Sequence, residues 1–457
     1  MEKENNRVLE VVKKHKSGKA VGIYSICSAN RFVLEAGMKQ AERDESLVCI
    51  ESTSNQVNQF GGYMGMKPAD FVEYVNHVAA EMNFPLSRLI LGGDHLGPHV
   101  WQNLDAQTAM AHASRLVRDY VTAGYSKIHL DASMRCADDP GGPNGAPDED
   151  LVIERTALLC EVAESARELR PPGLPPPVYV IGTEVPIPGG EQDQASGLVV
   201  TSPDDASRTI QMTCKAFQRR GLEGAWERVV AVVVQPGVEF GDATVFEYDR
   251  HKAVALSRGI EHDPSLVFEA HSTDYQPVSA LKQLVEDHFA ILKVGPWLTF
   301  ALREAVFALA AVERECLGGK RGLALSRIEQ VLEESMLKDP RHWQKYYHGD
   351  EIYLAYARKY SYSDRIRYYW PQPEVQEALA RLLTNLSVRA IPLPLLSQYL
   401  PQQYTRVREG RLKNSARTLI QDKIQDVLSW YAEACLMSRA SRNPVSSADT
   451  GAGQQGG

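Results

Sequence analysis

The sequence predicts an α/β fold: a (β/α)8 TIM barrel followed by a C-terminal α-helical appendage. Three observations carry this. Eight short β-branched runs recur over about 300 residues, the count such a barrel requires. Helical stretches separate the runs. No G-x-G-x-x-G follows the first run, which disfavours the rival doubly wound open sheet.

The runs are AVGIYSI (20–26), SLVCIES (46–52), RLILGGD (88–94), SKIHLDAS (126–133), VYVIGTE (178–184), VVAVVVQ (229–235), SLVFEAH (265–271) and FAILKVG (289–295). Helices are expected over 68–83, 103–125, 149–170 and 202–221. Pro68 and Ser202-Pro203 supply N-terminal signals. The stiff PPGLPPP (171–177) leads into the fifth strand. The eighth barrel helix is expected at 298–317. Beyond about 320 the composition turns helical and rich in Tyr, Trp and Arg, as in 341–370. The expected domains are a catalytic barrel (1–320), an appendage closing its mouth (321–440) and a disordered polar tail (441–457).

Composition sets outer limits. The chain has 457 residues, 44% of them hydrophobic, and a net charge of −8. No basic footprint invites nucleic acid. No apolar run approaches the ~20 residues of a membrane span, and the start is too polar for a signal peptide. Seven cysteines without a C-x-x-C pair fit reduced thiols in a cytoplasmic protein.

Side chains just past the C-terminal ends of barrel strands converge on one mouth. Here they are Asp94 and His95 (strand three), Asp131 and Ser133 (four), Glu184 (five), Gln235 and Glu239 (six), His271 and Asp274 (seven) and Lys293 (eight). His95, Glu184 and His271 can bind one divalent metal with a position left for substrate. Asp94 could then move a proton. A lone strand-end histidine is usually structural, but three metal-suited residues at three strand ends reverse that expectation. Asp131 either caps the next helix or serves the reaction. Lys293 could instead be a Schiff-base lysine. His77, His99, His112 and His129 are assigned to surface or core.

These motifs identify a family. GIYSICSAN (22–30), ESTSNQVNQFGGYMGM (51–66), LILGGDHLGPHVWQ (89–102), YVIGTEVPIPGGE (179–191), FEAHSTDYQ (268–276) and YSYSDRIRYYWP (360–371) make the chain resemble the Z-subunit family of class II tagatose-bisphosphate aldolases. That family is related to class II fructose-bisphosphate aldolase, and the resemblance runs from about 8 to about 430. It implies that Asp94 is the acid/base and that His95, Glu184 and His271 hold zinc, or else manganese, nickel or cobalt. Gln235 or Glu239 stands where a further ligand would be. Glu239, Asp131 and Asp274 are candidates for a second acid/base.

The departures from the family pattern bear on the substrate. The aldolases cradle a 1-phosphate with a His-Gly-Gly-Ser-Gly loop, whereas this chain has His271-Ser-Thr-Asp274. A sugar with a free 1-hydroxyl on Asp274 fits better. Arg365 and Arg367, with Ser361 or Ser363, could clamp a 6-phosphate or pair with acids of the appendage. Ser28, Asn30, Asn55 and Gln56 follow strands one and two and could bind hydroxyls. The expected activity is a ketohexose (6-phosphate) 4-epimerase acting by retro-aldol cleavage at C3–C4. A class II aldolase or an accessory subunit is the alternative. The expected assembly is a homo-oligomer, or a complex with a Y-type catalytic subunit.

Overall fold

The computed structural model describes residues 6–140, 147–183 and 198–437. Its strands are β1 (Ile23–Ile26), β2 (Val48–Thr53), β3 (Leu89–Leu96), β4 (Lys127–Leu130), β5 (Val178–Ile181), β6 (Val229–Val234), β7 (Glu239–Phe240), β8 (Val245–Phe246), β9 (Val267–Ala270) and β10 (Ile291–Val294). Eight of them pair in parallel around a ring, in the order β1-β10-β9-β6-β5-β4-β3-β2. This is a closed TIM barrel, built from the eight runs the sequence shows. The exceptions are β7 and β8, a small antiparallel hairpin inserted at the mouth after β6. The expected tail, 441–457, lies outside the described residues.

The barrel interior is charged at mid-height. Glu51 on β2, Lys127 on β4, Glu269 on β9 and Lys293 on β10 are all buried. Gly92 makes the room, because a Cβ there would come within 2.7 Å of Glu51 Cγ. Gly97 is just as constrained: a Cβ would lie 1.6 Å from the Asp131 carbonyl oxygen. The glycines around Asp94-His95 therefore serve close approach between neighbouring strands.

One helix assignment needs correcting. The helix Pro296–Leu317 forms as expected but is not the eighth helix of the ring. That place belongs to Ala416–Ala434, which packs against Arg31–Arg43, Val278–Glu286 and β1. At its end the Cys435 carbonyl accepts a hydrogen bond from Gly22 N, 3.1 Å, at the floor of the barrel. Pro296–Leu317 is sandwiched between this helix and the helices Ile328–Lys338, Pro373–Asn385 and Leu393–Tyr399. It is consequently buried around most of its circumference, Arg303 and Glu313 included. Succession along the chain cannot distinguish a ring helix from a sandwiched one.

The floor is closed by the helix Arg7–Lys16, which buries Val8 and Val12. There His15 Nε2 lies 2.9 Å from His288 Nδ1. Above the mouth, the segment 361–370 is pinned to the barrel at several points. Thr299 Oγ1 donates to Asp364, 2.6 Å, and Ser361 Oγ to Asp242, 2.9 Å. The Tyr362 and Tyr275 rings are 4.4 Å apart. All seven cysteines are unpaired. Among the described residues no helix is long and apolar enough to cross a membrane.

Candidate active site

Successive strand residues face opposite ways, yet Asp94 and His95 line the same cavity at the mouth. The register of β3 against β4 shifts between Gly93 and Leu96, and His95 has φ 49°. This left-handed backbone is unusual for a residue with a Cβ. It breaks the alternation and turns both side chains inward.

Three imidazoles meet there. The ring centroids of His95, His129 and His271 are 5.1, 5.0 and 5.3 Å apart pairwise. Each is held by a carboxylate. His95 Nδ1 is 2.7 Å from Asp131 Oδ2, His129 Nδ1 is 2.9 Å from Asp94 Oδ1, and His271 Nε2 is 2.9 Å from Glu269 Oε1. Asp131 is itself fixed by Ser133, whose N–H and hydroxyl donate to Oδ1 at 3.0 and 2.6 Å. Buried His129 Nε2 has no hydrogen-bond partner among the described residues.

Beneath the rings, Lys127 bridges Glu51 and Glu269, both at 2.7 Å. Lys293 contacts Glu51 and lies 2.9 Å from Asp94. Burial alone would push these carboxyls up. His95 and Lys293 nonetheless hold Asp94 well below its usual range, and Lys127 and Lys293 hold Glu269 well below its own. Burial would lower Lys293, but Asp94 and the other neighbours hold it well above its ordinary value. Burial takes His271 down to about 4, so it is neutral at physiological pH. Four buried carboxylates (Glu51, Asp94, Asp131, Glu269) thus face two ammonium groups and the imidazole of His95, whose pKa Asp94 and Asp131 raise against burial. That excess of negative charge, beside an unpartnered imidazole nitrogen, suits a divalent cation.

Several of the residues singled out from sequence come together. Asn55, Gln56, Asp94, His95, His271, Asp274, Lys293 and Arg367 line one cavity. Asp131 and Ser133 stand behind His95. Ser28 and Asn30 line an adjoining pocket, where Asn30 caps the helix Arg31–Arg43 by accepting from Phe32 N. Gln235 Oε1 accepts from Gly237 N and Val238 N, 2.8 and 3.0 Å, which turns it into its own loop. Glu239 is buried in the hairpin and accepts from Phe240 N. Ser361 and Ser363 bond each other, and Ser363 also bonds the Tyr347 hydroxyl. Arg365 lines an outer cleft. Glu184 lies outside the described residues.

His129, expected at the surface or in the core, is fully buried in the barrel, where its ring meets those of His95 and His271. Lys127, His129 and Asp131 alternate along β4, and this period of two was the available signal. Glu269-x-His271 on β9 carries the same signal. Asp94, His129, Glu269 and His271 each offer a ligand atom, all within 4.8 Å of one another. Cys27, Tyr63, Phe240 and Tyr368 also line the cavity.

Asp274 differs from its neighbours. Its Oδ1 accepts from Gly295 N and Trp297 N, 3.0 and 2.8 Å, at the start of the helix Pro296–Leu317. Burial outweighs these bonds and pushes its carboxyl up to about 6.

Residues 8–436 match the family model described as D-tagatose-1,6-bisphosphate aldolase subunit GatZ/KbaZ-like. A solved structure titled as a probable tagatose 6 phosphate kinase from Sinorhizobium meliloti is 44% identical, with a TM-score of 0.82, over 91% of this chain and 100% of that one. A putative fructose-1,6-biphosphate aldolase from Coccidioides immitis is 16% identical with a TM-score of 0.43, over 69% of this chain and 88% of that one.

Proposed function

Since the chain belongs to the D-tagatose-1,6-bisphosphate aldolase subunit GatZ/KbaZ-like family, we propose that it is an enzyme of class II aldol type. In this reading it is a metal-dependent 4-epimerase of a ketohexose or its 6-phosphate, interconverting the tagatose and fructose frames. The observation that carries the reading is Asp274. The N–H groups of Gly295 and Trp297, where a 1-phosphate would be received, already bind a carboxylate of the chain itself. The cavity thus favours a free 1-hydroxyl, which can donate to the Asp274 carboxylate.

The donor set fits a divalent cation, with zinc, manganese, nickel and cobalt as candidates. His271, His95 and His129 would hold it, with Asp94 beside them and Glu184 a further candidate. When bound, it supplies Lewis-acid polarisation of the ketose carbonyl. The chain's own groups do the rest. Asp94, ionised by its cationic neighbours, takes the proton of the 4-hydroxyl as the C3–C4 bond breaks. Lys293 holds Asp94 in place and in that charge state. Asn55, Gln56 and Arg367 bind hydroxyls of the two fragments and retain the aldehyde while it turns. The bond then re-forms with C4 inverted, and a proton returns to the new 4-hydroxyl.

The test mixes the purified, metal-supplemented chain with tagatose 6-phosphate, fructose 6-phosphate and tagatose 1,6-bisphosphate. Fructose 6-phosphate formed from tagatose 6-phosphate supports the proposal. Triose phosphates from the bisphosphate would replace it with an aldolase. Inertness alone, with activity appearing only in a complex with a second chain, would favour an accessory subunit, the reading suggested by the family's description.

A further inference from the structure

The helix Glu351–Tyr360 carries an apolar row on its outer face. Ile352, Tyr356 and Tyr360 follow one another at i, i+4 and i+8 and are 83, 43 and 46% exposed. No other helix among the described residues exposes more than one large apolar side chain. We propose that this face binds its counterpart on a second copy of the chain, the two helices lying antiparallel across a two-fold axis. The inference is independent of the reaction assigned above.

The opposite side anchors the helix. Ala357 and Arg358 are buried, and Arg358 bonds Glu333 at 2.7 Å. The Tyr353 hydroxyl donates to Asp242 at 3.1 Å, on the hairpin at the barrel mouth. The outer row is thus presented from a fixed base, and the Tyr356 and Tyr360 rings stack with centroids 6.0 Å apart. Aromatic side chains of this kind give up little freedom on association and are enriched at interfaces.

Charge selects the occupant. Beside the apolar row runs a second, Glu351–Ala355–Lys359, with an acid at one end and a base at the other. Glu351 accepts from Arg358 at 2.9 Å, yet its side chain stays 75% exposed. Lys359 pairs with no carboxylate among the described residues. A two-fold axis passing near Ala355 and Tyr356 sets Glu351 of each copy against Lys359 of the other, and Ile352 against Tyr360. A parallel pair would oppose like charges. The face therefore complements itself in the antiparallel orientation.

The test is sedimentation velocity of the full chain over a wide range of concentration, with Glu351→Lys, Lys359→Glu and Tyr356→Ala. All three side chains lie on the outer face, and Arg358 keeps Glu333 when Glu351 is replaced. Unchanged melting temperatures of the dilute variants confirm their folding. Wild type should dimerise reversibly. Each substitution should weaken dimerisation about tenfold or more, since either charge variant opposes two like pairs. An equimolar mixture of Glu351→Lys and Lys359→Glu should restore association to the wild-type level, because both contacts across the axis then join opposite charges. A dimer indifferent to all three substitutions, or a mixture no tighter than its components, overturns the proposal. A wild type that stays monomeric alone and associates only with a different chain gives the face to that partner and overturns it equally.

Discussion

Asp131 Oδ2 sits 2.7 Å from His95 Nδ1 and fixes which nitrogen of that ring faces the cavity. A carboxylate behind a metal-binding histidine typically accounts for about 10–100-fold in metal affinity. Asp131→Asn should therefore weaken divalent-metal affinity by that order, read by chelator competition, while the melting temperature of the metal-free protein changes little. Unaltered affinity would leave Asp131 as a local cap of the Ala132–Ser133 turn.

His129 tests the proposed set of metal ligands. His129→Ala should lower the bound-metal stoichiometry in dialysed protein, whereas His112→Ala, outside the cavity, should not. If both variants retain metal equally, the unpartnered Nε2 of His129 has no part in binding.

The buried ion network predicts asymmetry between two substitutions. Removing one partner leaves uncompensated buried charge, at a cost of about 3–5 kcal/mol. Lys127→Met, which strands Glu51 and Glu269, should lower the unfolding free energy by about that amount. Lys127→Arg should lower it less. Denaturant titration decides, and equal small losses would show that the two acids protonate at no appreciable cost.

Asp274 predicts a pH dependence. Its carboxyl is raised to about 6 in the fold from an ordinary value near 3.8. The unfolded chain thus releases this proton at lower pH than the folded one, and stability falls as pH rises from about 4 to about 6. Asp274→Asn removes that loss. It should melt above wild type at pH 7.5, and the difference should shrink towards pH 4. A constant difference across this range would contradict the assignment.

The ring of eight strands was legible because β-branched runs stop at polar residues wherever they lie along the chain. Asp94, His95, His271 and Asp274 were legible for the same reason, as polar residues directly after apolar ones. His129 was legible as core, but its meeting with the His95 and His271 rings was not, because that depends on Lys127 and Asp131 sharing its face. Arg365 and Arg367 illustrate another limit. Two residues apart in YSDRIRYY, they line different cavities, since the turn of the segment Arg365–Tyr369 separates them. The helix Ala416–Ala434 marks the third limit, because its place in the ring is set by packing almost 400 residues from the β1 it flanks.

That placement has a consequence for synthesis on the ribosome. The barrel wall between β10 and β1 stays uncovered until residue 434 has left the exit tunnel, so strand closure and completion of the wall are separated by more than 100 residues of elongation. Sequence-distant contacts of this kind form slowly. The nascent chain must carry this open seam, bordered on one side by Phe32, Glu35 and Lys39 of the helix Arg31–Arg43, until Ala416–Ala434 arrives.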